Sequence, residues 1–465
     1  MKTVKNQKAM NKMRSDLRTL GAAILCAAAF VACSSDDNEI QNAQPANPTE
    51  PQTYTMTIQA TKATGGATTR GLSLDGKTLN VKWNEGEQVE VVQTSGTTSK
   101  SLGTLKAKAS TDGITTLTGE LEGLQTGAQL KFYLHGATYD YTGQKGVLLN
   151  ADGNNSIEEK YDYAFAATYD YTIDGSTVTV ASGINLEAQQ SIVKFTFVDN
   201  NGNAINAKSL EIETTNPLVE KMNNIDGTGN SQVKSMTITP ASATNVIYAA
   251  IPNTEPNKDR PNDYTLTVTD GNGKLYTYTK NVTFTNGKYY EVKVKMPKRC
   301  TLAKSTVGMI VGTDGLAYYV EDKDNLPTDV TAAGMVAYMN GSNGLVIALT
   351  NMDSEKMWRN SIDEANTYKP EVKGQTWKVP SVDEWKLMLG ANNDDGNDRN
   401  CKGLNTAIEK AGGTALQMLT SYWTSTRKSP YIYCMSISSP SATADFDPMF
   451  ADEGVSIPVR VCFDF

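Results

Sequence analysis

The first half of the chain is dominated by short stretches in which apolar and polar residues alternate. Residues 55–59, 79–83 and 130–134 show this alternation, which is typical of β-strands that bury one face. Turn sequences such as Asp75-Gly76 separate the stretches at short intervals. Helical periodicity is nearly absent from this region. The pattern therefore predicts a mostly β protein whose many short strands form β-sandwiches.

A second set of alternating stretches begins near residue 190. Residues 191–197 continue the pattern, and residues 264–268 and 275–278 flank a turn, which predicts a β-hairpin. Two tandem β-sandwich domains fit the length of this region, and one larger domain fits it as well. We predict an N-terminal sandwich over residues 54–186 and a second sandwich over residues 187–297.

Toward the C-terminus the pattern becomes a mixture of helices and strands. Ser381 precedes an apolar run and Glu384 follows three residues later. This capping box predicts a helix that begins at Ser381 and buries Trp385 and Leu389. The other predicted elements are a hairpin over residues 335–349, a helix over 404–411 and strands over 431–437 and 457–463. Residues 298–465 are thus predicted to form a separate α+β domain.

The N-terminus has the pattern of an export signal. A basic segment precedes an apolar run over residues 20–32, which is shorter than the roughly 20 residues that a membrane-spanning helix needs. Small residues and Cys33 end the run, as in a lipoprotein signal whose cysteine is acylated. We therefore predict a signal peptide over residues 1–32 and a polar tether over residues 33–53, with attachment to the cell outer membrane through lipid on Cys33.

Net charge and the histidine content argue against two classes of function. The formal net charge is −8, and it becomes −13 without residues 1–32, which carry six basic residues and one acidic residue. An acidic chain argues against nucleic acid as a partner, because nucleic-acid binding needs a basic surface. The single histidine, His135, lies in an apolar strand-like run. The sequence therefore offers almost no histidine for catalysis that depends on this residue.

Apart from Cys26 in the signal segment and the predicted lipid-bearing Cys33, the cysteines lie between residues 300 and 462. Their spacing matches no zinc pattern, and export allows disulfides as readily as buried free thiols. Cys434 and Cys462 lie in apolar strand patterns without the local motif of a formylglycine-generating oxidase, and burial makes a thiol unreactive. We predict no enzymatic activity, and the disulfide state stays open for Cys300, Cys401, Cys434 and Cys462.

Several blocks of sequence resemble the fimbrillin family of bacterial surface lipoproteins and type V pilus subunits. They occur in the order found in that family, at residues 69–76, 83–89, 189–195 and 287–290. The resemblance implies two tandem β-sandwich domains and other fimbrial subunits as partners. It also implies that a protease cuts after Arg70 and frees the strand around Met56 and Ile58, so that another subunit's strand fills the groove. The alternative is an uncut Arg70 in a tethered monomer.

The C-terminal region resembles the C-type-lectin-like fold. The matching blocks lie at residues 377–385, 422–426 and 459–461, in the version of the fold shared with formylglycine-generating enzymes and with variable proteins of diversity-generating retroelements. In the variable proteins the surface near the C-terminus is diversified, which implies ligand binding here. The corresponding residues, some of which could instead be core, are Arg427, Lys428, Tyr431, Tyr433, Asp445, Asp447, Met449 and Phe450.

Three further motifs are best explained without a ligand. Residues 71–78 match the letters of a nucleotide-binding loop, but a strand-like stretch follows where such a loop needs a helix. The sugar-binding triplet at residues 255–257 lies in the β region and has no partner motif. Asp394, Asp395 and Asp398 offer oxygen ligands for calcium without a bidentate glutamate at the expected spacing. We therefore predict no cofactor.

The sequence as a whole favours an adhesin at a pilus tip or on the cell surface. Its expected ligand is a glycan or protein of a host or bacterial surface, bound by the C-terminal domain. A structural shaft or anchor subunit of a fimbrium is the first alternative, and a surface receptor diversified by a retroelement is the second.

Overall fold

The computed structural model describes residues 52–62, 72–75, 78–225, 229–252, 260–439, 442–450 and 454–465. The predicted lipidation site Cys33, the predicted cleavage site Arg70 and the triplet at residues 255–257 lie outside these ranges. The protein is mostly β, as the alternation predicts. None of the helices that are described is long and apolar enough to cross a membrane.

The first region is built around a sheet that closes on itself. Its strands are β1 (Thr53–Lys62), β2 (Leu72–Asp75), β3 (Thr78–Val81), β4 (Gln88–Ser95), β5 (Thr98–Ala107), β6 (Ile114–Glu122), β7 (Gln129–Leu134), β8 (Tyr139–Asp140), β9 (Ala164–Tyr169), β10 (Tyr171–Asp174), β11 (Thr177–Val180) and β12 (Ile184–Ala188). The order β1-β12-β9-β7-β4-β5-β6 returns to β1, which pairs with both β12 and β6. This closure gives a barrel-like sheet where the alternation predicts a sandwich.

The second region consists of two sheets that share one core. Its strands are β13 (Gln190–Val198), β14 (Ala207–Met222), β15 (Ser231–Ile238), β16 (Val246–Pro252), β17 (Asn262–Asp270), β18 (Leu275–Val282) and β19 (Tyr289–Lys295). One sheet has the order β16-β13-β19, and the other has the order β15-β14-β17-β18, with β8 also paired to β14. Phe195 and Ile247 from the first sheet pack with Leu210 and Leu266 from the second. The predicted hairpin is confirmed as β17 and β18.

A buried glutamine connects these two regions. The side-chain carbonyl of Gln190 accepts hydrogen bonds from the Tyr141 hydroxyl (2.8 Å) and from the Tyr163 backbone N–H (3.2 Å). The side-chain amide of Gln190 donates to Asp162 at 3.0 Å. His135, predicted as a strand residue, follows β7 at a φ of 64° and packs its ring 5.5 Å from that of Tyr163. The junction is therefore an ordered polar and aromatic cluster.

The third region combines sheets and helices, as predicted. Its strands are β20 (Arg299–Thr301), β21 (Ile310–Gly312), β22 (Leu316–Tyr318), β23 (Ala332–Asn340), β24 (Asn343–Ala348), β25 (Ser421–Lys428), β26 (Tyr431–Ile437), β27 (Ala444–Phe450) and β28 (Cys462–Asp464). Its helices are α1 (Trp358–Glu364), α2 (Val382–Ala391) and α3 (Lys402–Lys410). A six-stranded sheet has the order β20-β22-β21-β23-β24-β28, and β25-β26-β27 form a separate three-stranded sheet.

Short helical turns complete the described elements at Asn150–Asp152, Ile157–Tyr161, Leu302–Lys304, Val320–Asn325 and Ala365–Thr367.

The predicted capping box determines where α2 begins. The Glu384 backbone N–H donates to the Ser381 hydroxyl (3.1 Å), and the Ser381 backbone N–H donates to the Glu384 carboxylate (2.7 Å). Trp385 and Leu389 are fully buried, so the predicted buried face is confirmed. The predicted hairpin is confirmed as β23 and β24. The last predicted strand is shorter than expected, because regular pairing is limited to Cys462–Asp464.

Ion pairs and a tyrosine hold the third region against the second. The Lys304 ammonium lies 2.9 Å from the Glu211 carboxylate and 2.7 Å from that of Glu213, both on β14. The Tyr319 hydroxyl accepts a hydrogen bond of 2.8 Å from the backbone N–H of Leu275 on β18. These contacts fix how β14 and β18 meet the third region.

Candidate functional site

The predicted ligand-binding residues lie on the three-stranded sheet β25-β26-β27, but on both of its faces. Tyr431 pairs with Lys428 on one side and with Phe450 on the other. Residues that pair across antiparallel strands point to the same face, and neighbours along a strand point to opposite faces. One face therefore carries Lys428, Tyr431, Tyr433 and Phe450. The other face carries Arg427, Asp445, Asp447 and Met449.

The first of these faces exposes a row of rings. We call it the aromatic face and define it as Tyr431, Tyr433, Phe446, Pro448 and Phe450. Tyr431 is 38% exposed and Phe450 is 55% exposed, so neither is a core residue. Their ring centroids lie 5.0 Å apart. Large apolar rings that remain in water next to one another are typical of a binding surface.

Lysine side chains border the aromatic face. The Lys428 ammonium lies 5.8 Å from the centre of the Tyr433 ring, and the Lys386 ammonium lies 5.5 Å from the centre of the Phe446 ring. Both distances fall within the range of cation–π attraction. Lys386 belongs to α2, so this helix and the sheet together form the edge of the face. The surface therefore combines apolar area with positive charge.

The sheet positions these rings because the other end of β26 is anchored in the core. Met435 and Ile437 share the side of the strand that carries Tyr431 and Tyr433, and both are buried among residues of α2 and α3. Along this side of β26, the side chains change from buried at Ile437 to exposed at Tyr431. Tyr431 is held at the exposed end by a rigid β-strand rather than by a loop.

The opposite face of the sheet makes contacts within the protein. Arg427 lies 5.9 Å from the centre of the Trp358 ring, and Arg399 pairs with Asp445 at 3.0 Å. Met449 packs against the core of the third region. Asp447 is exposed on this side. The sequence predicts one surface for all eight residues, whereas the structure gives half of them to a face with internal contacts.

Sequence reasoning missed three residues at the aromatic face, namely Phe446, Pro448 and Lys386. The signal was present in the alternation of Phe446, Pro448 and Phe450 along β27, which places all three on one face. Lys386 could not be found this way, because it lies on a helix distant in sequence.

The cysteines of the third region are free and buried. Burial raises the pKa of Cys300 and of Cys401 to about 12, and it also raises the pKa of Cys434 and that of Cys462. A thiol with a raised pKa remains protonated at neutral pH and is a poor nucleophile. Of the two states that the sequence left open, the structure has free thiols.

The loop that contains Asp394, Asp395 and Asp398, the oxygen ligands considered for calcium, is held by its own hydrogen bonds. The side-chain amide of Asn393 donates to the backbone carbonyls of Leu389 (2.8 Å), Asn397 (3.0 Å) and Asn400 (2.7 Å). Within the described ranges, no group of three or more His, Cys, Asp or Glu residues is placed to hold a metal ion. The geometry of this loop therefore adds nothing in favour of calcium at Asp394, Asp395 and Asp398.

The strand predicted to be removable, β1, is an integral part of the barrel-like sheet. It pairs with β6 in antiparallel fashion from Thr53 to Thr61, and its other edge pairs in parallel with β11 and then β12. Its inward-facing residues are all buried, namely Tyr54, Met56, Ile58, Ala60 and Lys62. Removal of β1 would leave an apolar groove with exposed strand edges on both sides.

Lys62, the last residue of β1, forms a buried ion pair. Its ammonium lies 3.0 Å from Oε1 and 3.1 Å from Oε2 of Glu87, with the side chains 0% and 2% exposed. The same ammonium lies 3.6 Å from the centre of the Trp83 ring and donates to the Lys82 carbonyl at 3.3 Å. Glu87 also accepts a hydrogen bond of 3.2 Å from the Asn84 backbone N–H. A buried pair of opposite charges therefore lies at the end of β1.

No protein-family model matches the chain, and no curated protein matches it. Several solved structures are similar to this chain at low identity and low TM-score. A fimbrial protein from Bacteroides ovatus is 11% identical, with a TM-score of 0.27, over 89% of this chain and 100% of its own. The tip fimbrial protein Mfa3 from Porphyromonas gingivalis, truncated at its C-terminus, is 11% identical, with a TM-score of 0.28, over 52% of this chain and 95% of its own.

A fimbrial assembly protein from Parabacteroides distasonis is 12% identical, with a TM-score of 0.25, over 60% of this chain and 98% of its own. Likenesses at this level carry no argument about the fold or the function of this chain.

Proposed function

We propose that this chain is a surface-exposed lipoprotein that acts as an adhesin at a pilus tip or on the cell surface. In this proposal, the C-terminal lectin-like domain binds a glycan or protein ligand, and the two regions before it form a stalk. The aromatic face carries the proposal, because Tyr431 and Phe450 keep large apolar area in water on a rigid sheet. The predicted signal ending at Cys33 and the blocks that resemble fimbrillins support outer-membrane attachment and a fimbrial role.

The chemistry of the aromatic face suits either ligand class. Exposed rings stack on the apolar side of a sugar ring and equally accept apolar side chains of a protein. Lys428 and Lys386 add positive charge at the border, which favours ligands that carry carboxylates or sulfates. Aromatic residues in the centre of an interface commonly supply most of the binding energy.

We expect Tyr431→Ala and Phe450→Ala each to weaken ligand binding about tenfold or more, because each removes a ring from the centre of the contact. The measurement is binding of the full chain to glycan and protein arrays, followed by titration of the strongest hit. Both residues are exposed, so each variant should keep the unfolding midpoint of the unmodified chain.

A matched control for these variants is Ile173→Ala, which removes an apolar side chain that is 38% exposed on β10 in the first region. It should bind as the unmodified chain does. Unchanged binding by both ring variants would refute the assignment of the aromatic face.

A structural fimbrial subunit, assembled by strand exchange, is the second candidate. The observation that favours it is β1, which lies between two strand neighbours and fills an apolar groove. Cleavage after Arg70 would make this strand replaceable by a strand of another subunit. Electron microscopy of labelled surface fibres distinguishes a shaft subunit, seen along the whole fibre, from a tip subunit.

We expect mass spectrometry of the mature surface protein to find Gly71 as the N-terminal residue if the chain is assembled by strand exchange. Acylated Cys33 at the N-terminus of all molecules would instead mean a tethered monomer. The control is the Arg70→Ala variant, which removes the bond that an arginine-specific protease cuts and should retain acylated Cys33.

A further inference from the structure

The buried ion pair at the end of β1 restricts which strand can occupy this position. We infer that a strand that replaces β1 must carry a lysine or arginine at the position of Lys62, and that Glu87 selects for this residue. The inference rests on the strand exchange proposed above. It goes further because it assigns a specificity-determining residue to the groove and a sequence requirement to the partner strand.

The groove accommodates the same pattern of side chains that β1 carries. The inward residues of β1 are an aromatic ring, three apolar side chains and a cation at alternate positions: Tyr54, Met56, Ile58, Ala60 and Lys62. The four apolar positions are weakly selective, because many strands alternate in this way. The fifth position differs, since its surroundings include a carboxylate, an indole ring and a backbone carbonyl.

These surroundings favour a cation and disfavour an apolar side chain. A Lys62 ammonium there satisfies the Glu87 carboxylate at 3.0 Å and lies over the Trp83 ring at 3.6 Å. The indole N–H of Trp83 donates to the Gly113 carbonyl at 3.0 Å, which fixes the ring in place. A methionine of similar length would fill the space but remove the ammonium that lies 3.0 Å from the buried Glu87 carboxylate.

The same contact determines the register of the incoming strand. A slip of two residues keeps every apolar side chain on the inner face, because side chains alternate with a period of two. It moves the strand by about 7 Å, which carries the cation beyond hydrogen-bond reach of Glu87. Apolar packing alone tolerates this slip, and the ion pair does not. Glu87 therefore selects both the identity and the alignment of the strand.

The test uses the full chain with a unique protease site introduced among residues 63–71. After cleavage, the chain is incubated with an excess of fluorescent peptide spanning residues 52–62, and uptake is followed by anisotropy. The peptides are the native sequence, Lys62→Met, Lys62→Arg and the control Gln59→Met, which alters an outward-facing position. Peptide variants leave the chain unchanged, so its folding is not affected.

We expect the Lys62→Met peptide to bind about 100-fold more weakly than the native peptide, because it removes the Lys62 side of a buried ion pair. The Lys62→Arg and Gln59→Met peptides should bind within about tenfold of the native one. A chain with Glu87→Gln should no longer prefer the native peptide over Lys62→Met.

Equal uptake of the native and Lys62→Met peptides would overturn the inference while leaving strand exchange in place. Uptake of no peptide, the native one included, would overturn strand exchange itself and the inference with it. The two failures are therefore distinguishable in one experiment.

Discussion

Replacing Lys62 with methionine in the uncut chain should lower the free energy of unfolding of the first region by about 3–5 kcal/mol, the usual cost of removing one partner from a buried ion pair. The reason is that Glu87 stays buried, with a side chain only 2% exposed, and loses its cation. Hydrogen exchange of the β1 and β6 amides in increasing urea measures the change within this region.

The double variant Lys62→Met with Glu87→Leu is the control. It replaces the pair with apolar side chains and should recover most of the lost stability, because exchanging a buried ion pair for packed apolar residues is often neutral or stabilising. Equal protection of β1 in the unmodified chain and in Lys62→Met would show that the ion pair does not hold this strand.

Replacing Arg460 with methionine should lower the free energy of unfolding of the third region by about 3 kcal/mol or more, because buried acceptors then lose a charged donor. Arg460 is fully buried. It donates to the Asn351 side-chain carbonyl (2.7 Å) and to the backbone carbonyls of Ala348 (3.0 Å) and Thr414 (2.8 Å). One guanidinium thus connects the end of β24, the residues that follow it and the segment after α3.

Tryptophan fluorescence in urea measures this change, because four of the five tryptophans lie in the third region. Arg359→Met is the matched control, since Arg359 is exposed on α1 and its loss should change stability by no more than about 0.5 kcal/mol. Arg460→Lys should be intermediate, because one ammonium cannot reproduce the geometry of the guanidinium. Identical midpoints for the Arg460 and Arg359 variants would contradict the prediction.

Local patterns in the sequence predicted the elements that depend on nearby residues. The capping box at Ser381 and Glu384 lies within one helical turn, so its hydrogen bonds follow directly from the spacing. The hairpin of β17 and β18 likewise follows from a turn between two alternating stretches. Alternation also identified the mostly β class, because a half-buried strand must alternate.

Pairings between distant residues were not predictable in this way. The closure of the first sheet depends on β1 pairing with β6, about 60 residues later, and no local pattern encodes that contact. From the sequence alone, Lys62 would be placed at an exposed strand end, because lysine is seldom fully buried. Only the structure places it beside Glu87.

The division of the predicted binding residues between two faces also depends on the fold. The pairing of β25 with β26 places Lys428 opposite Tyr431 and Arg427 opposite Ile432, so these two neighbours on β25 point to opposite faces of the sheet. Composition pointed to this sheet, whereas the strand pairing decides that Lys428 lies on the side of the aromatic face and Arg427 on the other side.

The pairing of β1 along both edges has a mechanical consequence. Hydrogen bonds in a sheet lie across the strands, so tension applied along β1 loads its bonds with β6, β11 and β12 together, in shear. Tension applied sideways would instead peel them one after another. Survival under force depends on the rate of rupture rather than on equilibrium stability. When fluid flow pulls the chain along the direction of β1, this strand would therefore resist separation from its neighbouring strands most strongly.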